Sequence, residues 1–197
     1  LANQTRSDII RVMAHLTVSV EYAIHSLLWL VDAETAPLSS RDLADFQGVS
    51  PSYLAKIFPK LEKAGIVKAS EGVRGGYELA RAPEDINFLQ IVDAIEGRKP
   101  LFDCQEIRGR CAAFGELPPT WATRGVCSVH AVMLRAEKAM RETLAGASLR
   151  DLTQAVSRKA PPEFANDVKA WLGERVLRRA GKSSSSARLS SHGEDLS

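Results

Sequence analysis

Three cysteines, Cys104, Cys111 and Cys127, lie in one stretch of an otherwise thiol-free chain. Zinc modules hold their metal with tight Cys-x2–4-Cys pairs, and no such pair is present. The wide spacing suits an iron–sulfur cluster, whose ligands need thiolate softness and reach more than a fixed short interval. Two plainer readings stand beside it: unrelated buried thiols, and a thiol–disulfide switch. Upstream, Glu21 and His25 are four residues apart in a helical pattern, so they share a face. Such a pair can direct a carboxylate and an imidazole at one metal, or can be a solvated glutamate beside a packed histidine.

These groups must be positioned by helices. Apolar residues from Val18 to Val31 recur at helical spacing. Ser39 to Asp42 can cap a second helix, Leu43 to Phe46, stopped at Gln47-Gly48. Ser50 as N-cap with Pro51 at the first helical position starts a third, which Gly65 ends and Pro59 should kink or shorten. A short strand from Ile66 to Ala69, a turn at Glu71 to Gly76 and a return at Tyr77 to Leu79 predict a hairpin. Further helices are expected over Ile86–Glu96, Ser128–Leu144, Leu149–Val156 and Phe164–Leu177. The serine run from Ser183 onward reads as low-complexity and disordered.

The chain has 197 residues, 45% of them hydrophobic and 25% charged, enough to bury a core without disulfides. Its net charge of +2 excludes a strongly basic nucleic-acid tail or an acidic disordered chain. No apolar stretch approaches a membrane span and no signal-peptide core precedes Met13, so a cytoplasmic protein without a membrane partner is expected. An odd number of cysteines in that compartment argues against a disulfide framework.

Helix, short Gly-containing turn, helix and Gly-tipped hairpin is the order of a winged helix-turn-helix. The second helix of that pair offers its first residues to major-groove edges, while the hairpin lies over backbone or minor groove. Ser50, Ser52, Tyr53 and Lys56 fall where a reading helix begins, with Lys60 and Lys63 following for phosphate. Charge adds little: residues 39–80 hold six Lys/Arg against five Asp/Glu. A helix-turn-helix that only docks other proteins is the rival at this level.

Three stretches, Val49-Ser50-Pro51-Ser52-Tyr53-Leu54-Ala55-Lys56, Leu61-Glu62-Lys63-Ala64-Gly65-Ile66-Val67 and Gly75-Gly76-Tyr77-Glu78-Leu79-Ala80, resemble the Rrf-two family of bacterial transcription regulators, with its IscR, NsrR, RirA and CymR types. The likeness continues through Ile91 to Gly97 and Leu149 to Leu152. It implies a mainly α fold with a small β-hairpin wing, a winged helix-turn-helix domain and a long dimerisation helix. The implied division is an extension at 1–12, a DNA-binding domain at 13–97, a cluster-binding loop at 98–127, a dimerisation helix and following segment at 128–156, a helical extension at 157–180 and a disordered tail at 181–197. One departure concerns the wing, where the arginine common in the family is replaced by Glu71, so that either Arg74, three residues on, is its substitute for DNA contact or the wing reads DNA weakly.

The stretches Val20 to His25 and Phe102 to Arg108 are similar to the RsrR-type branch of that family, a 2Fe–2S redox sensor. That resemblance implies Glu21, His25 and Cys127 as ligands, with the glutamate and histidine on one subunit of a homodimer and the cysteines on the other; its second ligand cysteine has no counterpart here at the same distance before Cys127, and since Cys104 matches a loop cysteine that does not ligate there, Cys111 is the residue left to supply it. Cys104 is the substitute thiolate. His130 is a lesser candidate, because Cys127-Ser128-Val129-His130 resembles the Cys-x-x-His step of the IscR type. A 4Fe–4S cluster is the weaker alternative. The expected function is a cluster-containing regulator, a repressor on a double-stranded operator. Its rivals are a cluster-free or thiol-switch regulator and, in another class, a small iron–sulfur or zinc oxidoreductase. Against the last, the sequence offers no Gly-rich cofactor loop and no nucleophile–base motif.

Overall fold

The computed structural model describes residues 16–31, 36–72 and 75–190, with side chains as far as Arg179. The expected extension at 1–12 and wing residue Arg74 lie outside the described residues. Helix α1 (Val18–Val31) turns Val20, Ala23, Leu27, Leu28 and Leu30 into the core. Its buried Ser26 is satisfied: the hydroxyl donates to the Tyr22 carbonyl at 2.7 Å and accepts from Gln47 Nε2 at 2.9 Å.

Helix α2 (Ser40–Gln47) begins three residues earlier than the expected Leu43. Ser39 is the cap: its Oγ accepts from the Asp42 amide at 3.0 Å and donates to Asp42 Oδ2 at 2.7 Å, so Ser40 to Asp42 form the first turn. Gly48, at φ 66°, closes it. Helix α3 (Pro51–Lys63) follows after a three-residue turn. Pro59 does not shorten it. That residue lies on the exposed face, while Leu54, Ile57, Phe58 and Leu61 bury the opposite face on both sides of it. Packing therefore holds the helix through one missing amide donor.

The wing is two antiparallel strands, β1 (Val67–Ser70) and β2 (Gly76–Leu79), in register from Val67 opposite Leu79 to Ser70 opposite Gly76. Leu38, just before α2, bridges to Tyr77 through amide bonds of 3.1 and 2.8 Å. The approach leaves no room for a side chain at Gly76, where a Cβ would sit 2.6 Å from the Leu38 carbonyl carbon. Helix α4 (Phe88–Glu96) starts from an Asn87–Gln90 capping box.

Residues 98–127 carry two short 3-10 turns, Ile107–Arg110 and Ala112–Phe114, and one helical turn, α5 (Thr120–Thr123). Then come α6 (Ser128–Ala145), α7 (Leu149–Ser157) and α8 (Phe164–Ser190). The last differs from the expected ending: the helix passes Leu177 and continues through the serine run to Ser190, where disorder over 181–197 was expected, and residues 191–197 of that expectation lie outside the described residues. Serine costs an established helix only about 0.5 kcal/mol per residue relative to alanine, so the run is a weak stop. One core unites α1 to α4, the base of the wing, Leu149 of α7 and Leu172 of α8. Helix α6 contributes no fully buried residue.

Candidate nucleic-acid interface and sensor loop

The α2–turn–α3 unit places Ser50, Ser52, Tyr53 and Lys56 together on the exposed start of α3. Ser50 stands at the N-cap but makes no capping bond; its hydroxyl meets Ser52 Oγ at 2.8 Å. Tyr53 is 40% exposed, and its ring packs edge-on against Tyr22 of α1 with centroids 5.4 Å apart. Lys60 is engaged differently from the sequence expectation. Its Nζ donates to the Ile95 carbonyl at 2.9 Å, at the C-terminal end of α4 where a cation is favoured. This ammonium ties α3 to α4.

The wing is braced from beneath. Tyr77 stacks on buried Phe58, ring centroids 4.4 Å apart. Burial, aided by the nearby Glu62 charge, pushes the Tyr77 phenol above its ordinary value, so it stays neutral. Arg81, just after β2, donates to the Gly65 and Asp85 carbonyls and to Gln90.

Glu21 and His25 are both exposed, and neither makes a side-chain hydrogen bond or ion pair with another described residue. The three cysteines are unpaired thiols: Cys111 exposed, Cys104 and Cys127 half-buried. Within one chain, no three His, Cys, Asp or Glu among the described residues gather as a metal-binding group, so the structure does not bring the expected ligands together in a single subunit. His130 faces the ring of Phe102 at 6.0 Å. Arg108 organises the loop, pairing with Glu106 and donating to the Arg124 and Gly125 carbonyls just before Cys127. Glu106 at φ 48° is the one described non-glycine residue in the left-handed region. The donor set, two free thiols with an available carboxylate and imidazole, fits iron in its chemistry.

Two contacts connect these groups to the reader. Tyr22, adjacent to Glu21, meets Tyr53 on α3. From the loop, the Leu101 amide donates to Glu137 Oε2 on α6 at 3.1 Å; one turn later Arg141 makes a two-pronged bond to Asp93 on α4, 3.1 and 2.9 Å. α4 in turn accepts Lys60.

Sequence reasoning missed a further set. Helix α8 runs antiparallel along α2: Trp171 packs on Phe46 with centroids 5.0 Å apart, Arg175 pairs with Asp45 at 2.9 Å, and Arg179 pairs with Asp42 at 2.7 Å. The four-residue spacing of Trp171, Arg175 and Arg179 was the available signal.

A helix-turn-helix with a hairpin wing, its reader exposed and its hydrophobic side buried, defines a DNA-binding regulator. The family model for Rrf2, the iron-dependent transcriptional regulators, matches residues 16–155, and the chain belongs to that family. It is a transcription regulator and not an enzyme, which removes the oxidoreductase alternative. The Rrf2 protein of Nitratidesulfovibrio vulgaris is 33% identical over 143 residues, 72% of this chain and 89% of that one. IscR of Aliivibrio salmonicida is 35% identical over 82 residues, 41% of this chain and 49% of that one. Among solved structures, CymR of B. subtilis superposes with a TM-score of 0.58 at 22% identity, covering 73% of this chain and 98% of that one. IscR of T. potens gives 0.56 at 23%, covering 79% and 98%. At those identities the structures speak for the fold. No helix among the described residues is long and apolar enough to cross a membrane.

Proposed function

We propose that this chain is an RsrR-type regulator, a repressor that acts as a homodimer and responds to redox state through a 2Fe–2S cluster. Glu21 and His25 of one subunit and Cys111 and Cys127 of the other would hold that cluster. The observation that carries this reading is Glu21 beside His25: an exposed carboxylate and an exposed imidazole, without a partner among the described residues, on one turn of the helix that packs against the reader. The dimer is supported by α6, eighteen residues long with none buried, whose Val129 and Val132 are 59% and 52% exposed. A second copy would cover that apolar surface.

When bound, a 2Fe–2S cluster supplies one-electron redox chemistry. The chain's own residues do the rest. Each half of the ligand set reaches α3 by its own route, α1 through Tyr22 and Tyr53, the loop through Glu137, Arg141, Asp93 and Lys60. A shift between the two subunit halves would therefore tilt the reader, a coupling free energy between two sites.

The test is iron and sulfide content with the visible spectrum of anaerobically purified protein. The expected result is loss of both on Glu21→Ala, His25→Ala, Cys111→Ala or Cys127→Ala and retention on Cys104→Ala. A colourless, iron-free, folded wild-type dimer would overturn the cluster. Operator affinity should differ between oxidised and reduced holo-protein at fixed salt; equal affinity would overturn redox sensing. A thiol switch is the second reading, favoured by the exposed, unpaired Cys111. It predicts iron-free protein whose DNA affinity changes with a disulfide that dithiothreitol reverses.

A further inference from the structure

The reading head is short of positive charge: residues 39–80 are almost balanced, and α2 itself carries Asp42 and Asp45. Duplex DNA is bound largely through phosphate neutralisation, so this is a deficit to be made up elsewhere. Helix α8 lies beyond the residues the family model matches and is rich in basic residues. Over Phe164–Ser190 it holds six Lys/Arg against two Asp/Glu. Its placement is specific. Phe164 packs edge-on against Trp29, Trp171 lies against Phe46, and Leu172 is buried in the common core. The Arg175 guanidinium sits 4.5 Å from the Trp171 ring centre while pairing with Asp45. Arg179 pairs with Asp42 and also donates to the Pro37 carbonyl at 3.2 Å.

Two consequences follow. First, both acidic side chains of α2 are matched by arginines of α8, so the head does not present them uncompensated to phosphate. Second, α8 passes the N-terminus of α2 at Arg179, beside the Pro37–Leu38 segment that packs on Gly76 at the start of the wing's return strand. It then continues eleven residues to Ser190, about 16 Å of helix, through Lys182 and Arg188. Arg178 precedes this stretch, exposed and, among the described residues, held only by an exposed pair with Glu174, an interaction weak enough to exchange for phosphate. The end of α2 reached here is its positive dipole end.

We infer that α8 is an accessory DNA-binding element: docked on α2, it carries Arg178, Lys182 and Arg188 to the phosphate backbone beside the wing. The contact would be sequence-independent, adding affinity and salt dependence without base readout. The inference rests on DNA binding by the family and on no cluster.

The experiment uses the full chain, wild type and Arg178→Gln/Lys182→Gln/Arg188→Gln, with two duplexes: the gene's own upstream region and a random sequence of equal length. Binding is measured across a salt series. The triple variant should lose about tenfold or more in affinity on both duplexes, and its slope of log K against log salt should flatten by about 2 to 3 per chain, near 0.9 for each lost phosphate contact. Its melting temperature should match wild type, because the described docking contacts of Phe164, Trp171, Leu172, Arg175 and Arg179 are all kept. Unchanged affinity and slope would overturn the proposal, as would a loss confined to the upstream duplex with the slope retained. Wild-type protein that bound neither duplex would refute DNA binding by this chain, and the proposal with it.

Discussion

Arg179 Nη1 lies 2.7 Å from Asp42 Oδ2, the same carboxylate oxygen that accepts the Ser39 hydroxyl capping α2. The approach is charge to charge rather than along a linear N–H bond. The side chain of Asp42 is only 7% exposed, so its charge depends on this partner and on the cap. The C-terminal helix and the first helix of the helix-turn-helix are thereby one electrostatic unit.

Arg179→Ala should accordingly destabilise the head by about 1–3 kcal/mol, the usual penalty for leaving a nearly buried charge short of its partner. Arg178→Ala, whose ion pair with Glu174 is exposed on both sides, should cost about 0.5 kcal/mol or less. Urea denaturation of the two variants measures the contrast. Equal effects would mean that the Arg179–Asp42 pair is no more than a surface contact.

Two of the three lysines of α3, Lys56 and Lys60, should separate by what they touch. Lys56 is exposed on the reader, so Lys56→Gln should weaken binding to all duplexes and flatten the salt slope by about 1 per chain at unchanged melting temperature. Lys60 donates to the Ile95 carbonyl. Lys60→Gln should therefore lower thermal stability, with little change in the salt slope. Fluorescence anisotropy and calorimetry on the same samples check both halves.

That contrast shows where sequence reading reached and where it stopped. The turn between α2 and α3, the Pro51 start and the Gly65 stop were legible because capping and φ preferences act over three or four residues. The winged order followed from those signals. Lys60 could not be assigned, because whether an ammonium meets phosphate or a helix end depends on a partner 35 residues away. The bracing by α8 was hidden for the same reason: the Arg179–Asp42 pair spans most of the chain, and α8 read alone looks like a trailing extension. Pro59 was overestimated because local propensity was weighed without the four buried neighbours that hold the helix. In the loop at 98–127, residue types were readable, but which other groups its thiols meet is decided by contacts between distant elements, and spacing along the chain does not encode those.

At the start of α1, Thr17 donates to Glu96 through both its amide and its hydroxyl, at 2.9 and 2.6 Å. Burial pushes the Glu96 carboxyl up, but the two Thr17 bonds, with Lys99 and Lys60 nearby, outweigh it, and the carboxyl lies below its ordinary value of 4.5. A group depressed on folding stabilises the folded state above its unfolded pKa, and that contribution fades as pH falls through the folded value. Thr17→Val should thus destabilise the protein at neutral pH, and the difference from wild type should shrink steadily below about pH 4.5. A destabilisation that stayed constant into acid would show that the threonine acts by packing alone.

Gly76 sets the position of the wing. A Cβ there would stand 2.6 Å from the Leu38 carbonyl carbon and 2.9 Å from that of Pro37, both backbone atoms that no side-chain rotation can move. Gly76→Ala must push the strand away from the segment before α2, breaking the Leu38–Tyr77 amide bonds or straining them. The expected cost is about 1–3 kcal/mol, the range for forcing an extra methyl into a packed contact. Gly115 provides the control: at φ 61° and ψ −139° its backbone is of a kind nearly restricted to glycine, but its Cβ would meet open space, so Gly115→Ala should cost about 1–3 kcal/mol of backbone strain with no clash against the wing. Because the wing and the α8 docking site share the Pro37–Leu38 segment, Gly76→Ala should also loosen Arg179 from the Pro37 carbonyl. Hydrogen exchange reads this directly. Amides of α8 near Arg179 should exchange faster in Gly76→Ala and unchanged in Gly115→Ala, and equal protection in both would separate the wing from the C-terminal helix.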